Sequence, residues 1–238
     1  MVIVIPAGGI GSRVAHLHAA DIPKSMMDFA GKPFLEHQLL LFSKSGFNEI
    51  IISVHYLANK IIDYFGDGNK WGINISYVDD GKEPLGFGGS IKKAARAISD
   101  DYFAIVDGDT FLPIDFKLAE QHFIKSQANG MITVTDNYPK YYKGNIVIQN
   151  NKVLSIREKY SLTMEKMPYI DCGFRILNTK DIIKYPKRIF HLQEYLNTLI
   201  DRQELIAYNS PNRFYEVGCP EGVKDFQNYI KNYYVNRK

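Results

Sequence analysis

An apolar run, Val2 to Ile5, ends at Pro6 and opens directly into a glycine-rich turn, Ala7-Gly-Gly-Ile-Gly-Ser-Arg13. A strand that stops in such a turn is a phosphate-binding layout, because glycines let backbone N–H groups approach an anion closely. Two familiar versions do not fit. A Walker A loop needs G-x-x-x-x-G-K-[S/T], but the sixth position from Gly8 is Arg13, and no lysine follows. The dinucleotide fingerprint G-x-G-x-x-G fails because Gly9 and Gly11 are followed by Val14 where the third glycine belongs. Arg13 closes the turn, and Lys24 follows in Asp21-Ile-Pro-Lys24. A guanidinium and an ammonium beside such a turn can neutralise a triphosphate. Either charge alone would read as a surface group; the pair in this frame reads as a phosphate site.

Apolar spacing after the turn predicts helices over Phe34–Ser45, Asn59–Phe65, Gly88–Ile98 and Ile114–Gln127. They alternate with strands over Glu49–His55, Asn74–Val78 and Tyr102–Val106. That alternation predicts a parallel sheet with helices on both faces. The second half reads differently, with strands at Met131–Thr135, Asn145–Gln149, Val153–Arg157, Gly173–Leu177 and Leu205–Tyr208. Its helices fall at Leu192–Asp201 and Glu221–Tyr234. Asn150-Asn151 marks a hairpin turn, and Pro139–Gly144 an exposed connection. The expected fold class is α/β: a Rossmann-like mixed, mainly parallel sheet flanked by helices, with a small β-rich lobe in the later part.

Composition excludes several classes. Lys and Arg number 29 against 26 Asp and Glu, so the net charge of +3 argues for neither nucleic acid nor a membrane surface as partner. Two cysteines, Cys172 and Cys219, make neither a disulfide scaffold nor a zinc site. No apolar run approaches the roughly 20 residues needed to span a bilayer, and the start lacks the features of a signal peptide. A cytoplasmic location is expected.

Three further motifs carry chemistry. Asp107-Gly-Asp109 follows a strand of the parallel region, where ligands of open α/β sheets sit, and an acidic pair there suits Mg²⁺. Glu83-Pro-Leu-Gly-Phe-Gly-Gly89 is a second glycine-rich loop, headed by a carboxylate that accepts hydrogen bonds only. Arg213-Phe-Tyr-Glu-Val-Gly-Cys-Pro-Glu-Gly222 comes late in the chain. Histidines are scattered, and neither cysteine has a base partner in sequence, so nucleophilic catalysis is not expected.

In this order the motifs resemble the sugar-1-phosphate nucleotidyltransferases. The usual L-A-G-G-x-G-T-R-L…K-P reads here Pro6-Ala-Gly-Gly-Ile-Gly-Ser-Arg-Val14, then Pro23-Lys24-Ser25. The second loop resembles E-P-L-G-T-G-G-A-I-K of the heptose-1-phosphate guanylyltransferase branch, with Phe87 for threonine. Tyr142-Lys-Gly144, Ile156-Arg-Glu158-Lys159 and Tyr169-Ile-Asp171-Cys-Gly173 resemble the elements that bind the sugar phosphate.

The resemblance implies a nucleotide-diphospho-sugar transferase fold in a single domain. Residues 1–130 would bind the nucleotide and 131–238 the sugar phosphate. It implies Mg-dependent transfer of a nucleotidyl group from NTP to a sugar 1-phosphate, with GTP and a heptose favoured. Arg13, Lys24 and Asp109 would be catalytic. Ala7, Gly8, Gly9, Gly11, Ser12, Arg13, Lys24, Glu83, Gly86, Gly88 and Asp107 would bind the nucleotide. Gly144, Glu158, Lys159 and Asp171 would bind the sugar phosphate. Asp109 and Glu216 would hold Mg²⁺, although 107 residues separate them. The expected partners are NTP and sugar 1-phosphate, with a homo-oligomer open. Uridylyl or cytidylyl transfer on the same fold, a non-catalytic nucleotide-sugar sensor and a dinucleotide-dependent oxidoreductase are the alternatives. The missing third glycine speaks against the last.

Overall fold

The computed structural model describes residues 1–9, 14, 21–81, 83–157 and 167–235, with residues 234 and 235 by backbone alone. The opening run forms β1 (Ile3–Pro6), whose Ile3, Val4 and Ile5 are all fully buried. A strand apolar on both faces needs cover on both faces. Ile3 and Ile5 face one core with Leu35, Leu39 and Phe116, while Val4 faces another with Ile91, Phe103 and Leu199. This is the alternation of side chains along a strand.

The first half continues through β2 (Asp28–Phe29), β3 (Lys32–Pro33), α1 (Phe34–Lys44), β4 (Glu49–Val54), α2 (Ala58–Phe65), β5 (Asn74–Asp79) and α3 (Gly86–Ala95). It ends with β6 (Tyr102–Val106), β7 (Thr110–Phe111) and α4 (Phe116–Ser126). The second half holds β8 (Gly130–Thr135), β9 (Ile146–Gln149), β10 (Lys152–Ile156), β11 (Ile170–Asn178), α5 (Thr179–Lys184), α6 (Leu192–Asp201), β12 (Leu205–Asn209), β13 (Tyr215–Glu216) and α7 (Pro220–Val235).

Nine strands make one sheet in the order β5-β4-β1-β6-β11-β8-β12-β10-β9. Seven of the nine point one way, and β11 and β10 are reversed. The expected mixed, mainly parallel sheet is therefore present, and the later strands extend it. Asn150 and Asn151 take positive φ, 51° and 61°, at the β9–β10 hairpin, as the turn signal predicts.

Several boundaries differ from the sequence reading. α4 starts at Phe116 and not at Ile114, because Asp115 caps it, accepting from the N–H of Leu118 at 3.0 Å. β11 is longer than Gly173–Leu177 because it is sandwiched between β6 and β8, antiparallel to both. The connection Pro139–Gly144 is not wholly exposed: Tyr142 is buried, its ring 5.4 Å from that of Phe214. The helix α5 and the ribbons β2–β3 and β7–β13 are too short to show a period in the sequence.

A third core lies under α7. Phe226 sits edge-on to Phe29 and Phe34, each at 4.9 Å, and 5.3 Å from Phe111. It joins the β2–β3 hairpin, α1 and the β7–β13 ribbon.

Candidate active site

From β1 the chain runs to β4 and β5 on one side, then crosses back to β6 on the other. The strand order reverses between β1 and β6. A crevice must open beyond the carboxyl ends of strands at such a point. A cleft of about 600 Å³ opens there. Its walls are Pro6 to Gly9 after β1, Lys24 and Ser25, Ser53 and His55 at the end of β4, and Asp80 after β5. Pro84 to Phe87 and Ser90 from the start of α3, and Asp107 to Asp109 after β6, complete it.

The acidic turn is tightly built. Thr110 N–H donates to the Asp107 carbonyl at 3.0 Å. The buried Gln38 amide reaches across from α1, donating to the carbonyls of Asp107 at 2.9 Å and Thr110 at 2.6 Å. Gly108 has no room for a side chain, since a Cβ there would lie 2.1 Å from the Pro6 carbonyl oxygen. The turn is thereby pressed onto the end of β1, which sets the acids beside Pro6 and Ala7.

β13 then closes the gap in sequence. Glu216 pairs with Thr110 and Tyr215 with Phe111, and Val217 N–H donates to the Asp109 carbonyl at 2.8 Å. Glu216 is buried, and after burial itself its charge is the main cause pushing the Tyr142 phenol upward. At the mouth, the Lys24 ammonium donates to Asp109 Oδ2, both side chains less than a fifth exposed.

Asp109 and Glu216 fit a hard divalent cation. Mg²⁺ is typically held by one or two carboxylates, with phosphate oxygens and waters completing its shell. No cluster of three or more His, Cys, Asp or Glu able to hold a metal occurs among the described residues. Asp109 lines the cleft, whereas Glu216 is buried and is not part of its wall.

Asp107 has a different environment. Arg175, from β11, grips it with two hydrogen bonds of 2.6 and 3.2 Å, and grips Asp171 with two more of the same lengths. Burial pushes the Asp107 carboxyl up, against the pull of Arg175. Burial would lower the Arg175 pKa, but Asp107 and Asp171 outweigh it and raise it. Asp171 Oδ1 accepts the Gly173 N–H at 2.8 Å. Asp171, expected to take sugar hydroxyls, therefore directs both oxygens to partners within the chain.

Of the residues singled out in the sequence, Ala7, Gly8, Gly9, Lys24, Gly86, Asp107 and Asp109 line one cleft. Gly11, Ser12, Arg13, Glu158 and Lys159 lie outside the described residues. Glu83 is not in the cleft wall; it is 69% exposed and ion-paired to Arg188 at 3.1 Å. Gly88 serves packing, donating its N–H to the Phe190 carbonyl at 3.0 Å, and a Cβ there would strike the Phe190 ring at 2.3 Å. Gly144 leads into Asn145, whose side-chain oxygen accepts Asp171 N–H at 3.2 Å and whose amide donates to Arg157 O at 2.9 Å. Gly144 and Asp171 are thus joined through Asn145, and Arg175 links Asp171 to Asp107 of the cleft.

Four residues escaped the sequence reading: Asp80, Gln38, Arg175 and Arg188. Asp80 ends a strand as Asp107 does, which was a usable signal. Gln38 is a polar residue on the apolar face of α1 shared by Leu35, Leu39 and Phe42. Arg175 interrupts an apolar strand. Arg188 had no local signal.

The model of the nucleotidyl transferase family matches residues 2–202. A D-glycero-alpha-D-manno-heptose 1-phosphate guanylyltransferase of Campylobacter jejuni is 31% identical over 98% of this chain and all of its own length. One of Aneurinibacillus thermoaerophilus is 27% identical, with the same coverage of both chains. Among solved structures, HddC from Yersinia pseudotuberculosis complexed with GMP-PN aligns at a TM-score of 0.79 and 29% identity, covering 96% of this chain and 99% of that one.

Proposed function

The chain belongs to the nucleotidyl transferase family, and we propose that it transfers a nucleotidyl group from an NTP, GTP in preference, to heptose 1-phosphate or a related sugar 1-phosphate. An oxygen of the sugar phosphate attacks the α-phosphorus in line. The new O–Pα bond forms as the Pα–O bond to the β-phosphate breaks, and pyrophosphate leaves with that electron pair. The observation that carries the reading is the cleft at the strand-order reversal, with the glycine loop on one wall and Lys24 with Asp109 at its mouth.

Such a reaction asks the protein for positioning and charge neutralisation. Asp109 and Glu216 would hold Mg²⁺, which when bound neutralises charge on the phosphate oxygens. Gly8 and Gly9 line the cleft and supply backbone N–H groups to the triphosphate, while the Ala7 N–H is held by the Ser53 carbonyl at 2.8 Å. Lys24 supplies an ammonium to the α-phosphate. Arg13 for the leaving pyrophosphate, Lys159 for the acceptor phosphate and Glu158 for a sugar hydroxyl rest on the family resemblance. Gly144 borders the acceptor, while Asp171 serves it indirectly by holding Arg175 and Asn145. The domain would divide its work at about residue 130, nucleotide before and sugar phosphate after. Cys172 and Cys219 form no disulfide, which suits a reducing cytoplasm.

For the base we favour Asp80 over Glu83. Asp80 lines the cleft, and its oxygens accept from the hydroxyls of Ser90 and Ser53, which can rotate away. A carboxylate acceptor matches the N–H donors of guanine. Phe87, on the same wall, offers an apolar face to a ring.

The test is Mg²⁺-dependent pyrophosphate release with four NTPs and a panel of sugar 1-phosphates. Release with GTP and a heptose or mannose 1-phosphate is expected. Release with UTP or CTP alone would overturn the base assignment and keep the chemistry. No release with any pair would overturn the reaction.

A further inference from the structure

A second cleft, of about 270 Å³, lies between α3 and the segment that follows α5. Asp80, Lys92, Lys93, Arg96, Pro186 and Arg188 line it, so four cations face one carboxylate. Lys92 and Lys93 lie in the last turn of α3 and Arg96 at its C-cap, with Lys92 and Arg96 at a spacing of four where like charges repel.

The counter-charges do not balance the cluster. Asp80 is one carboxylate against four cations, and it lines the main cleft as well. Glu83 meets Arg188 at the rim, with both side chains about 70% exposed, and such pairs contribute little. Lys92 is 8% exposed, a depth at which ammonium groups are normally paired. Its Nζ donates only to backbone carbonyls, those of Tyr185 and Lys187, and no carboxylate partners it among the described residues. Burial first, and Arg96 second, weaken its hold on the proton. Arg96 likewise makes no ion pair among the described residues.

We propose that this cleft is a second anion site, which takes inorganic phosphate or the phosphate group of a small ester between Lys92, Arg96 and Arg188. Its volume is near the lower end of the roughly 300–1,000 Å³ of small-molecule pockets, which suits a small anion. A phosphate supplies the missing negative charge and takes up the donors left over by the backbone carbonyls. Asp80 and the start of α3 border both clefts, so the site adjoins the nucleotide wall without sharing Lys24 or Asp109. The inference rests on the charges around α3 and does not depend on which base or sugar the main cleft accepts.

The test is calorimetric titration of the whole chain with inorganic phosphate and, separately, with glycerol 3-phosphate, without Mg²⁺ or NTP. Three variants are compared with the parent: Lys24→Met, which alters the main cleft, Arg96→Gln, and Arg96→Gln with Arg188→Gln. The arginines are solvent-exposed, so these substitutions leave the core intact. The parent should bind one anion. Lys24→Met should retain that binding, and the double arginine variant should weaken it about tenfold or more. Tighter, Arg96-dependent binding of the ester would identify the source as a phosphate ester; equal or tighter binding of phosphate would identify the free ion. Absence of saturable binding at millimolar phosphate, indifference to the double arginine variant, or loss in Lys24→Met would each overturn the proposal.

Discussion

Lys24 and Asp109 meet at the mouth of the cleft, where a triphosphate and a divalent cation would both have to arrive. Asp109→Asn keeps the size of the side chain and removes its charge. Nearly all Mg²⁺-dependent pyrophosphate release should disappear, with the thermal midpoint little changed; retained turnover would remove Asp109 from the metal site. His37 makes a different point at this scale. It is buried on α1, and a ring N–H donates to the Phe29 carbonyl at 2.8 Å, a bond that either protonation state can make. Burial lowers its pKa in the folded state. The unfolded chain therefore binds the proton more readily. This contribution to stability is complete above about pH 6.5 and is lost as pH falls from there through the folded pKa. Denaturation at pH 7.5 and pH 5.5 should show a steeper loss for the parent than for His37→Gln, and parallel slopes would refute the assignment. The sequence marked Lys24 and Asp109 because charge beside a glycine turn is a local pattern. It misplaced Glu83, because the direction of an exposed side chain depends on Arg188, 105 residues away.

Among the elements, the two-residue ribbon β7–β13 is the smallest and carries the most. With the Val217 N–H bond to the Asp109 carbonyl, it sets Glu216 next to the Asp109 turn. Strands this short leave no periodicity to read, so the motif around Glu216 was legible while the means of bringing it home was not. α7 presses on the ribbon from outside: a Cβ at Gly222 would lie 1.9 Å from the Glu216 carbonyl oxygen. Gly222→Ala must therefore push the Glu216 backbone away from α7. The expected result is a several-fold rise in the Mg²⁺ concentration for half-maximal rate, with nucleotide binding measured without Mg²⁺ unchanged. An unchanged Mg²⁺ requirement would separate Glu216 from the metal. Phe226 anchors the same helix, and Phe226→Ala should cost about 3–5 kcal/mol by chemical denaturation, since its ring touches the hairpin, α1 and the ribbon together.

Across the whole molecule, the two halves are joined through β11, a reversed strand between β6 of the first half and β8 of the second. The repeated strand–helix pattern made the first half legible. The insertion of β11 was not, because sheet order depends on packing between distant segments. Arg175 spans that seam, holding Asp107 from the first half and Asp171 from the second. Its guanidinium is 8% exposed, so the three charges share one poorly solvated site. Removing the cation would strand two carboxylates there, and breaking a buried pair in this way typically costs about 3–5 kcal/mol. Arg175→Met should lose stability on that order at pH 7.5. The loss should shrink as pH falls, because burial already holds the Asp107 carboxyl above its usual range and removing Arg175 raises it further, so it discharges in the variant at a higher pH than in the parent. Replacing all three, with Asp107→Asn and Asp171→Asn added to Arg175→Met, should recover much of the stability at pH 7.5. A loss independent of pH, or a triple variant no more stable than Arg175→Met, would show that Arg175 holds the halves together by packing and not by charge.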